Sequence, residues 1–91
     1  MRFEWDEDKA AANLAKHGVS FNEAATVIGD PLGWTYPDSE HSVSEERWIT
    51  VGLSEGQRIL VVAHKEEEAD WIRILSARQA TRKERKFYEE K

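Results

Sequence analysis

Apolar and polar residues alternate in three short runs in the second half of the chain, a pattern typical of half-buried β-strands. The runs are "RWITVGL" over 47–53, "RILVVAHK" over 58–65 and "WIRILSAR" over 71–78. A turn over 54–57 and an acidic turn over 66–70 join them at hairpin length, so the pattern predicts an antiparallel meander. "MRFEW" at the start and "GWTY" over 33–36 indicate two further short strands.

A first helix is predicted for "EDKAAANLAKH", because Asp6 can cap its start and Gly18 follows its end. Leu14 and the neighbouring alanines would form a thin apolar face on this helix. Asn13, with Lys9 and Lys16 at helical spacing, would lie on a different, polar face.

Two more helices are indicated by capping boxes, in which a Ser or Thr precedes a Glu by three residues. Ser20 and Glu23 start the second helix, which stops at Asp30 and the proline after it. Thr81 and Glu84 start the third, "TRKERKFYEE". The predicted order is β-α-α-β-β-β-β-α.

Helices before and after one antiparallel sheet define an α+β fold, and we expect the helices to cover one face of the sheet. A chain of 91 residues is expected to form a single domain, 1–91, with a modest core. It has no cysteine, no apolar run of about 18 residues that could span a membrane, and no apolar leader segment after Met1. A cytoplasmic protein is therefore expected.

Charge is distributed unevenly along the chain, whose net charge is −5. From Trp71 onward there are seven Lys or Arg against three Asp or Glu, while residues 1–70 carry six against fifteen. A basic segment on an acidic body indicates a site for a polyanion.

Two of these cations, Arg82 and Lys83, fall in the first turn of the predicted last helix. The helix dipole disfavours cations there by a few tenths of a kcal/mol each, roughly. They are either a tolerated surface choice or part of an anion site in which helix N–H groups meet a phosphate.

Arginines within the predicted strands are the next candidates. Arg73 and Arg78 are five residues apart, which puts them on opposite faces of a regular strand. Guanidinium binds phosphate in a planar fork, although Arg73 could equally be a structural residue paired with Glu46 or Glu4. The same two interpretations hold for Arg47 and for Arg58.

Histidines offer proton transfer, because imidazole titrates near neutral pH. His17 and His64 are candidates, but a lone histidine is more often structural or exposed, and Lys16 and His17 also suit the negative end of a helix dipole. His41 in the polar loop is expected to be solvated. The spacing of the three histidines fits no metal site, so no metal is predicted.

Aromatic residues are frequent, and tryptophans can serve as base-stacking platforms. The alternation of Trp5, Trp48 and Trp71 with polar residues favours core packing instead. Tyr88 could be a catalytic or stacking phenol, but packing of its helix on the sheet is the simpler interpretation.

The ordered set "FEWD", "KHGVSF", "ERW..VG" and "IRI.SAR.AT..ER..YE" spans essentially the whole chain and resembles the BrnT toxins of type II toxin–antitoxin systems. The resemblance implies a compact RelE-like fold, a bacterial or archaeal origin and metal-independent cleavage of RNA without a cofactor. It also implies a BrnA-type antitoxin that blocks the toxin and represses their operon, so that DNA is contacted only through the antitoxin. Assemblies of this family are expected to be dimers of heterodimers.

The resemblance also assigns residues. It implies charge stabilisation at the scissile phosphate by Arg47, Arg73 and Arg78, and proton transfer by Lys16 or His17. The residues expected to bind RNA all lie on the last helix. They are its cations Arg82, Lys83 and Arg85, together with Tyr88.

An alternative is a binding module of the same fold that has lost catalysis and acts with its antitoxin in operon regulation. The net charge and the lack of a clear His–His or Glu–His pair favour it. A departure from the family pattern, the acidic triplet Glu66, Glu67 and Glu68, would repel RNA if its hairpin bordered the site.

Overall fold

The computed structural model describes residues 1–40 and 46–90. His41 and the rest of 41–45 lie outside the described residues, as does position 91. The described elements are, in chain order, β1 (Arg2–Glu4), α1 (Glu7–His17), α2 (Phe21–Ile28), β2 (Trp34–Pro37), β3 (Trp48–Leu53), β4 (Ile59–Glu66), a short 3-10 helix (Glu68–Asp70), β5 (Trp71–Gln79) and α3 (Arg82–Glu89). The α+β fold and the order of elements are confirmed.

The helix ends follow local sequence signals. The Asp6 carboxylate accepts hydrogen bonds from the backbone N–H groups at the start of α1, and Gly18 ends that helix with a left-handed φ of 68°. Thr81 and Glu84 form a complete capping box at α3. Only half of the box forms at α2: Ser20 accepts from the Glu23 N–H, but the Glu23 carboxylate binds Ser54 and Arg58 instead.

The predicted meander is confirmed as β3, β4 and β5, and β2 pairs antiparallel with β3. The five strands have the spatial order β1-β5-β4-β3-β2.

The first strand departs from the expectation of a purely antiparallel sheet. β1 pairs parallel with β5, with Phe3 opposite Ile72, so the sheet is mixed. No hairpin links β1 to its neighbour: two helices and three strands intervene, and a parallel pair requires such a crossover.

The helices do not all cover one face, which corrects a second expectation. Leu60 and Val62 of β4 pack with residues of α2 in the buried core. Val51 of β3 pairs with Val61 and therefore points to the opposite face, where it lines a cleft together with Lys83 and Phe87 of α3. Helices α1 and α2 thus lie on one side of the sheet and α3 on the other.

Helix α1 is attached by a polar residue rather than by its leucine. Asn13 of the predicted polar face is buried and Leu14 of the predicted apolar face is 51% exposed, so both assignments were wrong, although Ala10 of the apolar face does pack against the core. The Asn13 side-chain amide donates to the carbonyls of Val19 (2.9 Å) and Ala77 (2.8 Å) and accepts from the Ala77 N–H (3.1 Å). Both backbone groups of Ala77 on β5 are thereby satisfied by one side chain.

The core lies between α1, α2 and the sheet, with Phe21, Leu60 and Ile74 among its largest fully buried side chains. Trp5 packs against it and meets Phe21 edge to face at 6.0 Å. No helix in the described part of the chain is long and apolar enough to cross a membrane.

Candidate functional site

An open groove of about 570 Å³ lies on the sheet face opposite α1 and α2. Small and apolar side chains of the central strands, Ile49, Val61, Ala63 and Ser76, line it together with Ala77. Polar side chains of other segments complete the wall. They are His17, Tyr36, Asp38, Ser39, Glu40, Arg47 and Arg78, with Pro37 between them. We call this site the central groove.

His17 reaches the groove because it is the last residue of α1, one turn beyond Asn13. The hydrogen bonds between Asn13 and Ala77 fix this end of the helix against β5, and Ala77 itself lines the groove. Arg47 comes from the other side, just before β3. Its carbonyl accepts from the Asp38 N–H at 2.8 Å, which joins the two segments that form that wall.

Arg78 on β5 is held by a forked ion pair. Its Nη1 and Nη2 donate to Oε1 and Oε2 of Glu84 at 2.7 and 2.9 Å. Glu84 Oε1 also accepts from the Thr81 N–H in the capping box. The hydrogen bond from Arg78 is the main reason why the pKa of Glu84 falls to about 2, and the same pair raises the pKa of Arg78. The carboxylate therefore stays ionised and fixes the guanidinium at the groove wall.

Tyr36 also lines the groove, although the sequence motifs did not indicate it. It lies on β2 opposite Ile49, which turns its ring toward the groove. Partial burial raises the pKa of its phenol, and the negative charge of Glu84 adds to the rise. The available signal was its place in "GWTY", where it alternates with Thr35 and follows Trp34 at a spacing of two.

Arg73 lies elsewhere, although the family resemblance assigned it, with Arg78, to the scissile phosphate. The register of β4 and β5 shifts between Ala63 and His64, so that Leu75 is an extra residue on β5. The bulge resets the alternation and puts Arg73 on the same face as Arg78 rather than on the opposite one. The two are about 15 Å apart along the strand. Arg73 Nη1 donates to Glu4 Oε2 at 2.6 Å, the structural pairing that was the alternative for this residue.

The remaining candidates do not belong to the groove wall formed by the described residues. Lys16 is exposed at the end of α1, and Arg82, Lys83 and Arg85 are exposed on α3. The Tyr88 hydroxyl donates to Asp30 Oδ2 at 2.6 Å, and burial raises its pKa to about 12. Its contact with Asp30 agrees with a tyrosine that packs its helix on the body of the protein.

Two further candidates, His64 and Arg58, make contacts that stabilise the fold. His64 is buried on β4, where its Nε2 and the Thr50 hydroxyl lie 2.8 Å apart, and burial lowers its pKa to about 4. It is therefore neutral at physiological pH and points into the core side of the sheet. Arg58 forms an ion pair with Glu23, lowering the pKa of that carboxyl, and also donates to the Gly18 carbonyl.

The groove therefore combines an imidazole, a phenol and two guanidinium groups that come from distant parts of the chain. Such a set can bind a phosphate, transfer a proton and stabilise negative charge. Among residues 1–40 and 46–90, no three His, Asp or Glu side chains come together as a metal site would require.

Comparison with known proteins gives the class. Residues 5–84 match the family model described as the ribonuclease toxin, BrnT, of type II toxin–antitoxin systems. The protein is thus of the class of ribonuclease toxins from type II toxin–antitoxin systems. More particularly, the chain belongs to the BrnT family.

A solved structure gives the same result for the fold. The chain is similar to the crystal structure of the Brucella abortus ribonuclease toxin BrnT, with a TM-score of 0.70 and 25% sequence identity. The match covers 90% of this chain and 99% of the Brucella chain. No curated protein sequence matches the chain.

Proposed function

We propose that this protein is an endoribonuclease toxin that cleaves RNA in the central groove. The 2′-hydroxyl of one nucleotide attacks the adjacent phosphate, and no metal ion takes part. The observation that carries the proposal is that His17, Arg47 and Arg78, far apart in the chain, line one open groove together with Tyr36.

The roles follow from what this reaction needs. A base takes the proton of the attacking hydroxyl, cations stabilise the charge that develops on the phosphate, and an acid protonates the leaving oxygen. Arg47 and Arg78 supply the positive charge from opposite walls. His17 transfers protons, and Tyr36 donates a hydrogen bond to a phosphate oxygen, since a phenol is protonated at neutral pH and the environment of Tyr36 raises its pKa further.

RNA that extends from the groove would meet the exposed cations of α3, which are Arg82, Lys83 and Arg85. In the proposed reaction no chemical step involves Lys16, Arg73 or Tyr88. Lys16 is exposed beside His17, while Arg73 and Tyr88 are bound to Glu4 and Asp30.

The family implies an antitoxin partner, and we propose one of the BrnA type. It would block the groove, bind operator DNA through its own domain and assemble with the toxin as a dimer of heterodimers. The toxin would act in the cytoplasm.

A second function is favoured by one observation. Both guanidinium arms of Arg78 are engaged by Glu84, and Asp38 and Glu40 add acidic groups to the groove. A protein whose groove holds an engaged arginine and acidic groups could lack catalysis and act instead as a co-regulator that strengthens the binding of its antitoxin to operator DNA.

A cleavage assay distinguishes the two functions. Purified toxin, free of antitoxin, is incubated with single-stranded RNA in EDTA, and the fragment ends are identified. The nuclease proposal predicts fragments that end in a 2′,3′-cyclic phosphate, at the same rate with and without EDTA.

His17→Gln should lower that rate by roughly 100-fold or more, since a positioned general acid–base group contributes about 10²–10⁴-fold. Leu14→Ala on the same helix is the matched control and should cleave at the normal rate. RNA that stays intact with the normal protein, in EDTA and with added Mg²⁺, while the protein still tightens antitoxin binding to DNA, would favour the co-regulator.

A further inference from the structure

A second cleft adjoins the central groove and is almost entirely apolar. It has a volume of about 490 Å³ and is lined by Trp34, Tyr36, Val51, Lys83, Glu84 and Phe87. Tyr36 lines both sites, so the cleft continues from the groove wall toward α3. We call it the aromatic cleft.

Exposed aromatic rings are concentrated in this cleft. The chain has nine aromatic residues, all of them described, and only three are exposed: Trp34 (41%), Tyr36 (41%) and Phe87 (56%). All three line the aromatic cleft. The other six are buried or half-buried.

Trp34 and Phe87 form one aromatic surface. Their centroids are 5.2 Å apart and their planes are tilted by 56°, so the rings contact each other, and a base would stack on their exposed faces rather than between them. Two different elements hold this surface, because Trp34 belongs to β2 and Phe87 to α3.

The charges around the cleft suit a nucleotide. Glu84 is its acidic group, but both carboxylate oxygens accept hydrogen bonds from Arg78, which offsets their charge. Lys83 is exposed at the rim, where it can meet a phosphate while the base enters the cleft. A protein helix would also bury these rings, but it would not account for the shared Tyr36 wall or for the lysine at the rim.

We propose that the aromatic cleft binds the base of an unpaired nucleotide next to the scissile phosphate, so that the substrate is single-stranded RNA. The base stacks on Trp34 and Phe87, and its backbone passes over Tyr36 into the central groove. Stacking on aromatic side chains tolerates every base, so this subsite selects for unpaired RNA rather than for sequence. The inference rests on the proposed ribonuclease function.

The test uses short single-stranded RNA oligonucleotides with 2′-O-methyl groups, which cannot be cleaved, and measures binding by fluorescence anisotropy. One oligonucleotide series carries an abasic site at each position in turn. For the normal protein, one abasic position should weaken binding about tenfold.

Phe87→Ala should weaken binding of the complete oligonucleotide by a similar factor and should abolish the penalty of that abasic position. Phe87→Leu keeps an apolar side chain without the aromatic face and should behave in the same way. Leu14→Ala, an exposed apolar residue on α1, is the control and should bind normally. Circular dichroism verifies that each variant is folded.

The outcomes separate this proposal from the one on which it rests. If Arg78→Ala weakens binding but the Phe87 variants bind normally, the cleft is not a base site and the groove proposal stands. If no oligonucleotide binds the normal protein although that protein cleaves unmodified RNA, the base site is overturned and the groove proposal stands. If the Phe87 variants bind RNA normally but lose the antitoxin, the cleft is a protein interface and the inference is overturned.

Discussion

At the scale of the residue, the environment decides which titratable groups are available for chemistry. His17 and His64 are the same side chain in different surroundings. His17 lines the open groove, whereas His64 is buried beside Thr50 with its Nδ1 lacking a hydrogen-bond partner in the described part of the chain. A neutral, buried His64 affects stability rather than catalysis.

The lowered pKa of His64 predicts a loss of stability in mild acid. The unfolded chain binds a proton at His64 near pH 6.5, and the folded chain only near pH 4, so the unfolded state gains protons first as the pH falls. The stabilisation that comes from keeping His64 neutral is fully present above about pH 6.5 and is lost progressively as the pH falls toward 4. Between pH 7 and pH 5 the normal protein should lose about 2 kcal/mol of unfolding free energy relative to His64→Gln, which removes the titration.

Urea unfolding of both proteins at pH 7, 6 and 5 measures this difference. Acidic groups such as Glu84 are common to both proteins and cancel. A stability difference that stays constant over this range would contradict the buried, neutral state of His64.

At the scale of the element, local signals set the ends of helices and long-range contacts set their positions. Asp6 marks the start of α1 and Gly18 marks its end, because capping involves only the residues of the first and last turns. Which side of α1 faces the sheet depends on β5, more than sixty residues away. The buried side carries Asn13 because Ala77 offers a donor and an acceptor there.

This attachment predicts that Asn13→Ala destabilises the protein far more than Leu14→Ala. The first substitution leaves the N–H and carbonyl of Ala77 without their partner, at a cost of about 2–3 kcal/mol. The second removes a side chain that is 51% exposed and should cost roughly 0.5 kcal/mol or less. Urea unfolding at pH 7 gives both values, and a greater loss for Leu14→Ala would favour the apolar face suggested by the sequence.

Other features of the elements could not be inferred from the sequence. The bulge at Leu75 lies in a run without glycine or proline, and no local signal distinguishes it from a regular strand. β1 has three residues and no hairpin, so nothing near it fixes its direction. The bulge decides which face Arg73 takes, and the parallel pairing puts Glu4 beside it, so the sequence left Arg73 open between a phosphate ligand and a structural partner of an acid.

At the scale of the whole molecule, the acidic hairpin is kept apart from the groove, whose described wall carries two arginines and two acidic residues. The acidic hairpin belongs to the far end of β4 and β5: Lys65 pairs with Glu67, and the N-terminal amine pairs with Asp70. Among the described residues that form the groove wall, the contribution of β4 ends at Ala63. The acidic triplet of this hairpin therefore does not border the proposed site.

The convergence of His17, Tyr36, Arg47 and Arg78 is a property of the folded molecule. The sequence could nominate three of them because of their chemistry and their place in family motifs. It did not single out Tyr36, because the alternation in "GWTY" leaves open which face its ring takes, and the pairing of β2 with β3 decides that.

The most direct test of the central groove compares two arginines of the same strand. Arg78 and Arg73 both lie on β5, and each forms an ion pair with one carboxylate, Glu84 or Glu4. Only Arg78 of this pair lines the described groove wall. The single-turnover rate of RNA cleavage should fall about 100-fold or more in Arg78→Ala and change less than about twofold in Arg73→Ala, with both variants folded. Equal losses in the two variants, or a loss only in Arg73→Ala, would contradict the assignment of the site.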